Sequence, residues 1–137
     1  MDYQVSVVGG GISGALAALY LGKSRVKTCL IDRGKPSQRL SNPYLGKTTS
    51  LNLSSIASLR DVGIWENIKK NAQEFNEIYV WDAEGSSSVQ FKAEEISRND
   101  LGVIVHNNII LESIYSKLEQ ISEVTLIEEE SLKEISQ

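Results

Sequence analysis

Three glycines near the start of the chain have the spacing Gly9-x-Gly11-x-x-Gly14. The first glycine permits a tight turn, the second lets a pyrophosphate approach the backbone, and the third lets a helix pack closely on a strand. A helix that begins inside such a motif offers free N–H groups and the positive end of its dipole to phosphate. The spacing therefore predicts a dinucleotide-binding loop in which the three motif glycines bind the pyrophosphate. The candidate cofactor-binding residues of this loop are Gly9, Gly10, Gly11, Ile12, Ser13 and Gly14.

An acidic residue follows about 20 residues further along, where a carboxylate would bond the adenosine ribose hydroxyls. Asp32 has this position, and its charge would repel a 2′-phosphate, which favours FAD or NAD over NADP. The adjacent Arg33 weakens that preference, because an arginine can accommodate a phosphate. The structural alternative is a glycine-rich turn followed by an aspartate that caps a loop.

The elements around the motif form a βαβ pattern. Residues 3–8 predict a strand, and the β-branched run in it predicts burial on both faces. Residues 12–21 are rich in Ala and Leu and predict a helix, and Gly22 is a plausible stop. Residues 26–31 predict the second strand. A strand, turn, helix and strand within this length are typical of a βαβ crossover.

The rest of the chain continues as α/β. Residues 34–47 predict a loop, residues 54–61 and 65–71 predict short helices, and residues 77–93 predict a β-hairpin with one covered face. An extended segment at 101–105, an amphipathic helix at 108–121 and a strand at 124–127 follow. This order predicts a Rossmann-like core with a parallel sheet of at least three strands and an inserted β-hairpin.

Composition excludes several classes of function. The chain has 137 residues, enough for one domain, and its net charge of −4 argues against nucleic-acid binding. Cys29 and His106 are the only cysteine and the only histidine, so a metal site is not expected. No apolar run approaches the ~20 residues that cross a bilayer, and the first residues do not resemble a signal peptide. Cys29 and the two tryptophans, Trp65 and Trp81, are expected to be buried packing residues.

The segments at 7–21 and 29–33 resemble the N-terminus of the FAD-dependent aromatic hydroxylases. Four later segments narrow this to the ubiquinone-biosynthesis hydroxylases, which include the 2-octaprenylphenol-type enzymes: GKTTSLNLSSIASLRDVGIWENI, IYVWDAEG, FKAEEI and LGVIVHNNIIL. The glycine motif is shared by many families, so the later segments are the specific part. The resemblance extends over essentially the whole chain.

The resemblance implies that residues 1–137 are the N-terminal part of an FAD/NAD(P)-binding domain, with the hairpin at 77–93 inserted. The fold is then incomplete relative to the family, whose further FAD motifs lie beyond Gln137. Lys47 and Asn107 are implied as additional cofactor-binding residues, and no catalytic acid or base is implied. Two departures stand out: Lys47 replaces an arginine, and the tripeptide at 106–108 replaces Glu-Asn-Arg.

The implied activity is FAD-dependent hydroxylation of a polyprenylated phenol, with NAD(P)H as a candidate electron donor. The implied location is cytoplasmic, with peripheral contact at the inner membrane and other ubiquinone-pathway proteins as partners. A chain that lacks the part enclosing the flavin is not expected to hydroxylate by itself. Two alternatives stay open: a non-catalytic or degenerate dinucleotide-binding module, and a fragment of an NAD-linked oxidoreductase.

Overall fold

The computed structural model of the chain describes residues 2–35 and 46–133. Most of the loop predicted at 34–47 lies outside these residues. Within them, the chain forms in order β1 (Val5–Val8), α1 (Ile12–Lys23), β2 (Thr28–Ile31), β3 (Thr48–Asn52), α2 (Leu53–Asp61), α3 (Trp65–Lys69), β4 (Gln73–Phe75), β5 (Glu77–Trp81), β6 (Ser88–Lys92), a 3₁₀ turn (Ala93–Ile96), β7 (Gly102–His106), α4 (Asn107–Leu118) and β8 (Val124–Ile127).

The predicted parallel sheet is present, with the strand order β1-β2-β8. Both pairs are parallel and in register, so that Val8, Ile31 and Ile127 align at the carboxyl ends of the three strands. The α/β class and the parallel core are therefore confirmed. Loops that follow these three strands start from the same edge of the sheet.

The prediction that β1 is buried on both faces is wrong. In the described residues β1 has a neighbouring strand on one side only, and Val8 is 55% exposed. Its side chains alternate between half-buried and exposed. This pattern arises because α1 packs against β1, and successive side chains of a strand point to opposite faces.

A second, antiparallel sheet has the strand order β3-β7-β4. Only the central strand of this sheet coincides with an extended segment predicted from the sequence. The strand β3 is polar at Thr48, Thr49 and Ser50, so it carries little hydrophobic periodicity. Its pairing with β7 places Leu51 opposite Val103, and both side chains are buried.

The hydrophobic core lies where α1 packs on the parallel sheet and on α4. Both helices were predicted close to their observed bounds, although α1 continues through the predicted stop at Gly22 to Lys23, and α4 ends at Leu118 and not at residue 121. Trp65 is 4% exposed and Cys29 is 3% exposed, so the burial predicted for both is confirmed. The buried apolar residues of the two helices are Ala15, Ala18, Leu19, Ile110, Leu111, Ile114, Tyr115 and Leu118.

The strands β5 and β6 pair antiparallel as a hairpin, and every residue of both strands is exposed. The prediction of a covered hairpin face is therefore wrong for the described part of the chain. Trp81 is 66% exposed and stacks on Tyr79 with 5.7 Å between the ring centroids. Its prediction as a packing residue is wrong, because among the described strands β5 pairs only with β6 and both strands are exposed throughout.

The described helices are too short or too polar for any of them to cross a membrane. Among the described residues, no cluster of three His, Cys, Asp or Glu side chains is arranged to hold a metal ion.

Candidate functional site

A cavity of about 410 Å³ opens at the carboxyl edge of the parallel sheet. It is formed by the segments that follow β1, β2 and β8. This edge is where open α/β sheets bind their ligands. The cavity is lined by Val8, Gly9, Gly11, Ile31, Asp32, Arg33, Glu130, Ser131 and Leu132.

The glycine loop is held tightly against β2 and α1. Gly9 has a φ of +103°, a backbone conformation that favours glycine, and its N–H donates to the carbonyl oxygen of Ile31 at 2.8 Å. At Gly14 a Cβ atom would overlap the carbonyl oxygen of Gly9. The first turn of the helix can therefore approach the loop only because residue 14 is glycine, as the motif predicts.

The N-terminus of α1 keeps its amide groups available. Gly11 is the N-cap residue and has no side chain that could cap the helix, and the first turn of α1 contains no acidic residue. The first N–H groups of a helix have no intrahelical partner, so those at the start of α1 can serve a bound anion. Ile12 is half-buried and Ser13 is exposed in this turn.

Asp32 is only 8% exposed and lies directly after β2. Its carboxylate accepts hydrogen bonds from the backbone N–H of Gly34, at 2.8 Å, and from that of Gly10. Its own carbonyl oxygen accepts from the N–H of Glu130 at 3.1 Å. Asp32 therefore connects the segments after all three parallel strands. The exposed Arg33 lines the same cavity.

Gly10 is the buried residue of the glycine loop, and it does not line the cavity. Its carbonyl oxygen accepts a hydrogen bond of 2.8 Å from the hydroxyl of Tyr115 on α4. Tyr115 was not predicted to belong to the site, because the sequence around it identifies it only as one of several large residues on a predicted helix. A tyrosine on the buried face of that helix was the available signal, since a buried phenol requires a hydrogen-bond partner.

Lys47 and Asn107 lie together, but they do not line the cavity around the glycine loop. The N–H of Asn107 donates to the carbonyl oxygen of Lys47 at 3.0 Å. The side-chain oxygen of Asn107 accepts from the hydroxyl of Thr49 at 2.6 Å. The contact of Lys47 and Asn107 with a cofactor stays a prediction.

The segment after β8 was not predicted to belong to the site. It supplies Glu130, Ser131 and Leu132 to the cavity wall. Close by, Lys35 and Glu129 form an ion pair of 3.1 Å between largely exposed side chains, and such a pair adds little stability. The acidic run at 128–130 gave no sign of this role, because charged runs are usually solvated.

The chemistry of this cavity fits the adenosine diphosphate half of a dinucleotide. Uncapped helix amides suit the phosphates, and the Asp32 carboxylate suits the ribose hydroxyls. Val8, Ile31 and Leu132 provide apolar walls beside them. Arg33 adds a positive charge at the rim.

Comparison with known proteins identifies the family of the chain. The model of a family described as "FAD binding domain" matches residues 2–127. Solved structures share the fold. A crystal structure of p-nitrophenol 4-monooxygenase PnpA from Pseudomonas putida superposes with a TM-score of 0.74 at 21% identity, over 97% of this chain and 33% of that one. The flavin-dependent monooxygenase PieE, solved with FAD and substrate, gives a TM-score of 0.70 at 16% identity, over 94% of this chain and 24% of that one.

Among curated proteins, the chain is similar to "Ubiquinone biosynthesis monooxygenase COQ6, mitochondrial" of Dictyostelium discoideum, with 29% identity over 98% of this chain and 30% of the relative. The human protein of the same name is 30% identical over 88% of this chain and 27% of its own length. "Ubiquinone hydroxylase UbiL" of Rhodospirillum rubrum is 27% identical over 90% of this chain and 29% of its own length. The chain thus spans less than a third of these relatives. Since the family model matches residues 2–127, nearly the whole chain, this protein belongs to the FAD binding domain family.

Proposed function

We propose that the chain is the FAD-binding N-terminal part of a monooxygenase that hydroxylates an aromatic ring in ubiquinone biosynthesis. The observation that carries the cofactor assignment is the cavity at the carboxyl edge of the parallel sheet. There Gly9, Gly11 and Asp32 line one space beside the uncapped N-terminus of α1. The names of the similar curated proteins support the reaction class.

Each group of the site has a distinct binding task in this proposal. The amides at the start of α1 hold the pyrophosphate, and Gly9 and Gly11 let it approach the backbone. Asp32 accepts hydrogen bonds from the adenosine ribose. Lys47 and Asn107, which contact each other away from this cavity, serve the flavin end of the cofactor.

Bound FAD supplies the redox and oxygen chemistry of the hydroxylation, and the protein supplies binding, orientation and shielding from water. The groups that we assign to this chain all bind or orient the cofactor, and none acts as a catalytic acid or base. The substrate is a polyprenylated phenol, and NAD(P)H is the electron donor in this proposal. We place the protein in the cytoplasm, in peripheral contact with the inner membrane and with other ubiquinone-pathway proteins.

The share of the relatives' length that the chain covers also bears on the activity expected of it. The chain corresponds to 30% or less of the length of the relatives named above, and its cavity accounts for the adenosine half of the cofactor. An active site that stays open to water permits side reactions that closure would prevent. We therefore expect the 137-residue chain to bind FAD without hydroxylating a phenol.

Calorimetric titration of the purified chain with ADP, FAD, FMN, NAD and 2′,5′-ADP tests the binding proposal. We expect ADP and FAD to bind and FMN not to bind, because FMN has no adenosine. We expect 2′,5′-ADP to bind more weakly than ADP, because its second phosphate is on the ribose, where Asp32 repels it, and it has no pyrophosphate for the start of α1 to hold. Binding of FMN without binding of ADP would overturn the assignment of the cavity. Tighter binding of NAD than of FAD would favour an NAD-linked oxidoreductase instead.

A further inference from the structure

We infer that Tyr115 is a positioning residue for the dinucleotide-binding loop. Its hydroxyl fixes the orientation of the Gly10 peptide, and thereby the positions of Gly9 and Gly11, which face the ligand. This inference rests on the proposed function, since it concerns the same cavity. It assigns a binding role to α4, a helix that the glycine motif does not include.

The contact between Tyr115 and the loop is close and buried. Tyr115 is 6% exposed, and its hydroxyl donates to the carbonyl oxygen of Gly10 at 2.8 Å. A Cβ atom added at Gly10 would overlap the Tyr115 hydroxyl and would lie 3.0 Å from the Asp32 carboxylate. The two oxygens therefore lie against the α-carbon of Gly10, and no side chain fits there.

Both backbone polar groups of Gly10 are bonded to side chains from distant parts of the chain. Its N–H donates to Asp32, and its carbonyl oxygen accepts from Tyr115. Glycine has no side chain to restrict its φ and ψ, so these two bonds orient the two peptide groups on either side of the Gly10 α-carbon, Asp32 the one before it and Tyr115 the one after it. Without the phenol hydroxyl, the buried carbonyl group would lack this partner and the peptide would rotate to find another one.

The neighbours of Gly10 transmit this effect to the ligand. Gly9 and Gly11 both line the cavity. Gly11 also accepts the first helical hydrogen bond of α1, from the N–H of Ala15 at 2.9 Å. A rotation at Gly10 therefore moves the residues that would face the pyrophosphate.

The variant Tyr115→Phe tests the inference, because it removes the hydroxyl and keeps the ring in the core. Tyr20→Phe is the matched control. The hydroxyl of Tyr20 donates to the carbonyl oxygen of Ser58, also at 2.8 Å, and Tyr20 lies away from the cavity. Both variants lose one side-chain-to-backbone hydrogen bond, which is buried at Tyr115 and exposed at Tyr20, so the free energy of unfolding of each variant is measured by urea denaturation alongside.

Two measurements on the full chain are needed: the Kd of ADP, and amide hydrogen exchange at Gly10 without ligand. We expect Tyr115→Phe to weaken ADP binding about ten-fold and to accelerate Gly10 exchange about ten-fold, because a loop held by one buried hydrogen bond fewer opens more readily and exposes the Gly10 N–H that Asp32 otherwise protects. Tyr20→Phe is expected to leave both values within about two-fold of wild type.

Unchanged values in Tyr115→Phe, or equal changes in the two variants, would overturn the inference. The exchange measurement needs no ligand, so it tests the role of Tyr115 separately from the proposed function. If the wild-type chain does not bind ADP, the proposed function fails, and the exchange rate at Gly10 still decides whether Tyr115 holds the loop.

Discussion

The carboxylate of Asp32 accepts a hydrogen bond from the backbone N–H of Gly10. The same carboxylate accepts a second one from the N–H of Gly34. One side chain at the end of β2 therefore fixes the loop that follows β1 and the loop that follows β2. Asp32 stabilises the fold at the point where we propose that it binds the ribose.

Replacement of Asp32 by asparagine should reduce both stability and binding. The asparagine side chain has one acceptor oxygen, and its NH₂ group cannot accept from an N–H. One backbone donor therefore loses its partner, and we expect the free energy of unfolding to fall by about 1–3 kcal/mol. We expect ADP affinity to fall about ten-fold with it, which is about 1.4 kcal/mol. Urea denaturation and calorimetry measure the two effects.

Asp61→Asn is the control for this variant. Asp61 is exposed at the end of α2, so its neutralisation should change stability by no more than about 0.5 kcal/mol. Equal stability of the two variants would contradict the structural role of Asp32.

Gly14→Ala separates the close contact at the loop from helix propensity. Alanine is favoured over glycine in a helix by about 1 kcal/mol, so propensity alone predicts a more stable protein. The added methyl group would overlap the Gly9 carbonyl oxygen, and overpacking costs about 1–3 kcal/mol. We expect the variant to have a lower Tm and weaker FAD binding.

The matched variant for Gly14→Ala is Ser116→Ala, at an exposed position of α4. It gains propensity without a clash, so its Tm should be unchanged or slightly higher. A rise in Tm for Gly14→Ala, measured by circular dichroism, would show that α1 moves away from the Gly9 carbonyl oxygen without a loss of stability.

The hairpin β5–β6 has one fully apolar face. The cross-strand pairs Ile78–Phe91 and Val80–Val89 lie on this face, and these side chains are between 40% and 50% exposed. Contiguous exposed apolar surface favours association. We therefore expect the chain to self-associate as its concentration rises, and Val89→Lys to reduce this in sedimentation velocity.

Gln90→Lys places the same charge on the opposite face of the same strand. It should leave self-association close to that of wild type. If both lysine variants sediment alike, the apolar face of the hairpin does not mediate the association.

Lys47→Ala tests which half of the cofactor this residue serves. Lys47 is exposed and lies away from the adenosine cavity, so ADP affinity should not change. FAD affinity should fall about three-fold, as expected for an exposed charged contact. The control is Lys69→Ala, an exposed lysine at the end of α3, which should alter neither Kd. An equal loss for ADP and FAD would contradict a contact with the flavin end.

Local sequence was enough to predict the elements whose characteristic pattern of residue types lies within one segment of the chain. The glycine motif and the apolar spacing of Ile110, Ile114 and Leu118 identified the loop and α4. The polar strand β3 was missed, because a strand of this kind is stabilised by its pairing with β7 and not by its own propensity. The exposure of Trp81 was missed for a related reason, since burial depends on what packs against the hairpin.

The same distinction applies to the candidate site. Asp32 was predicted because its distance from the motif is set by one βαβ unit. Tyr115 and Leu132 were not, because they reach the loop and the cavity from parts of the chain distant in sequence. Contacts of that kind are determined by tertiary packing, and a single sequence contains no periodic pattern for them.

The pairing of β2 with β8 joins strands from opposite ends of the described chain. During synthesis on the ribosome, the glycine loop and Asp32 emerge before β8, the strand that pairs with β2. Such a long-range pairing must close a large loop before it gains any stability, and this slows folding. The nascent chain therefore acquires this cavity only after β8 and the segment that follows it have left the exit tunnel, well after the glycine loop itself.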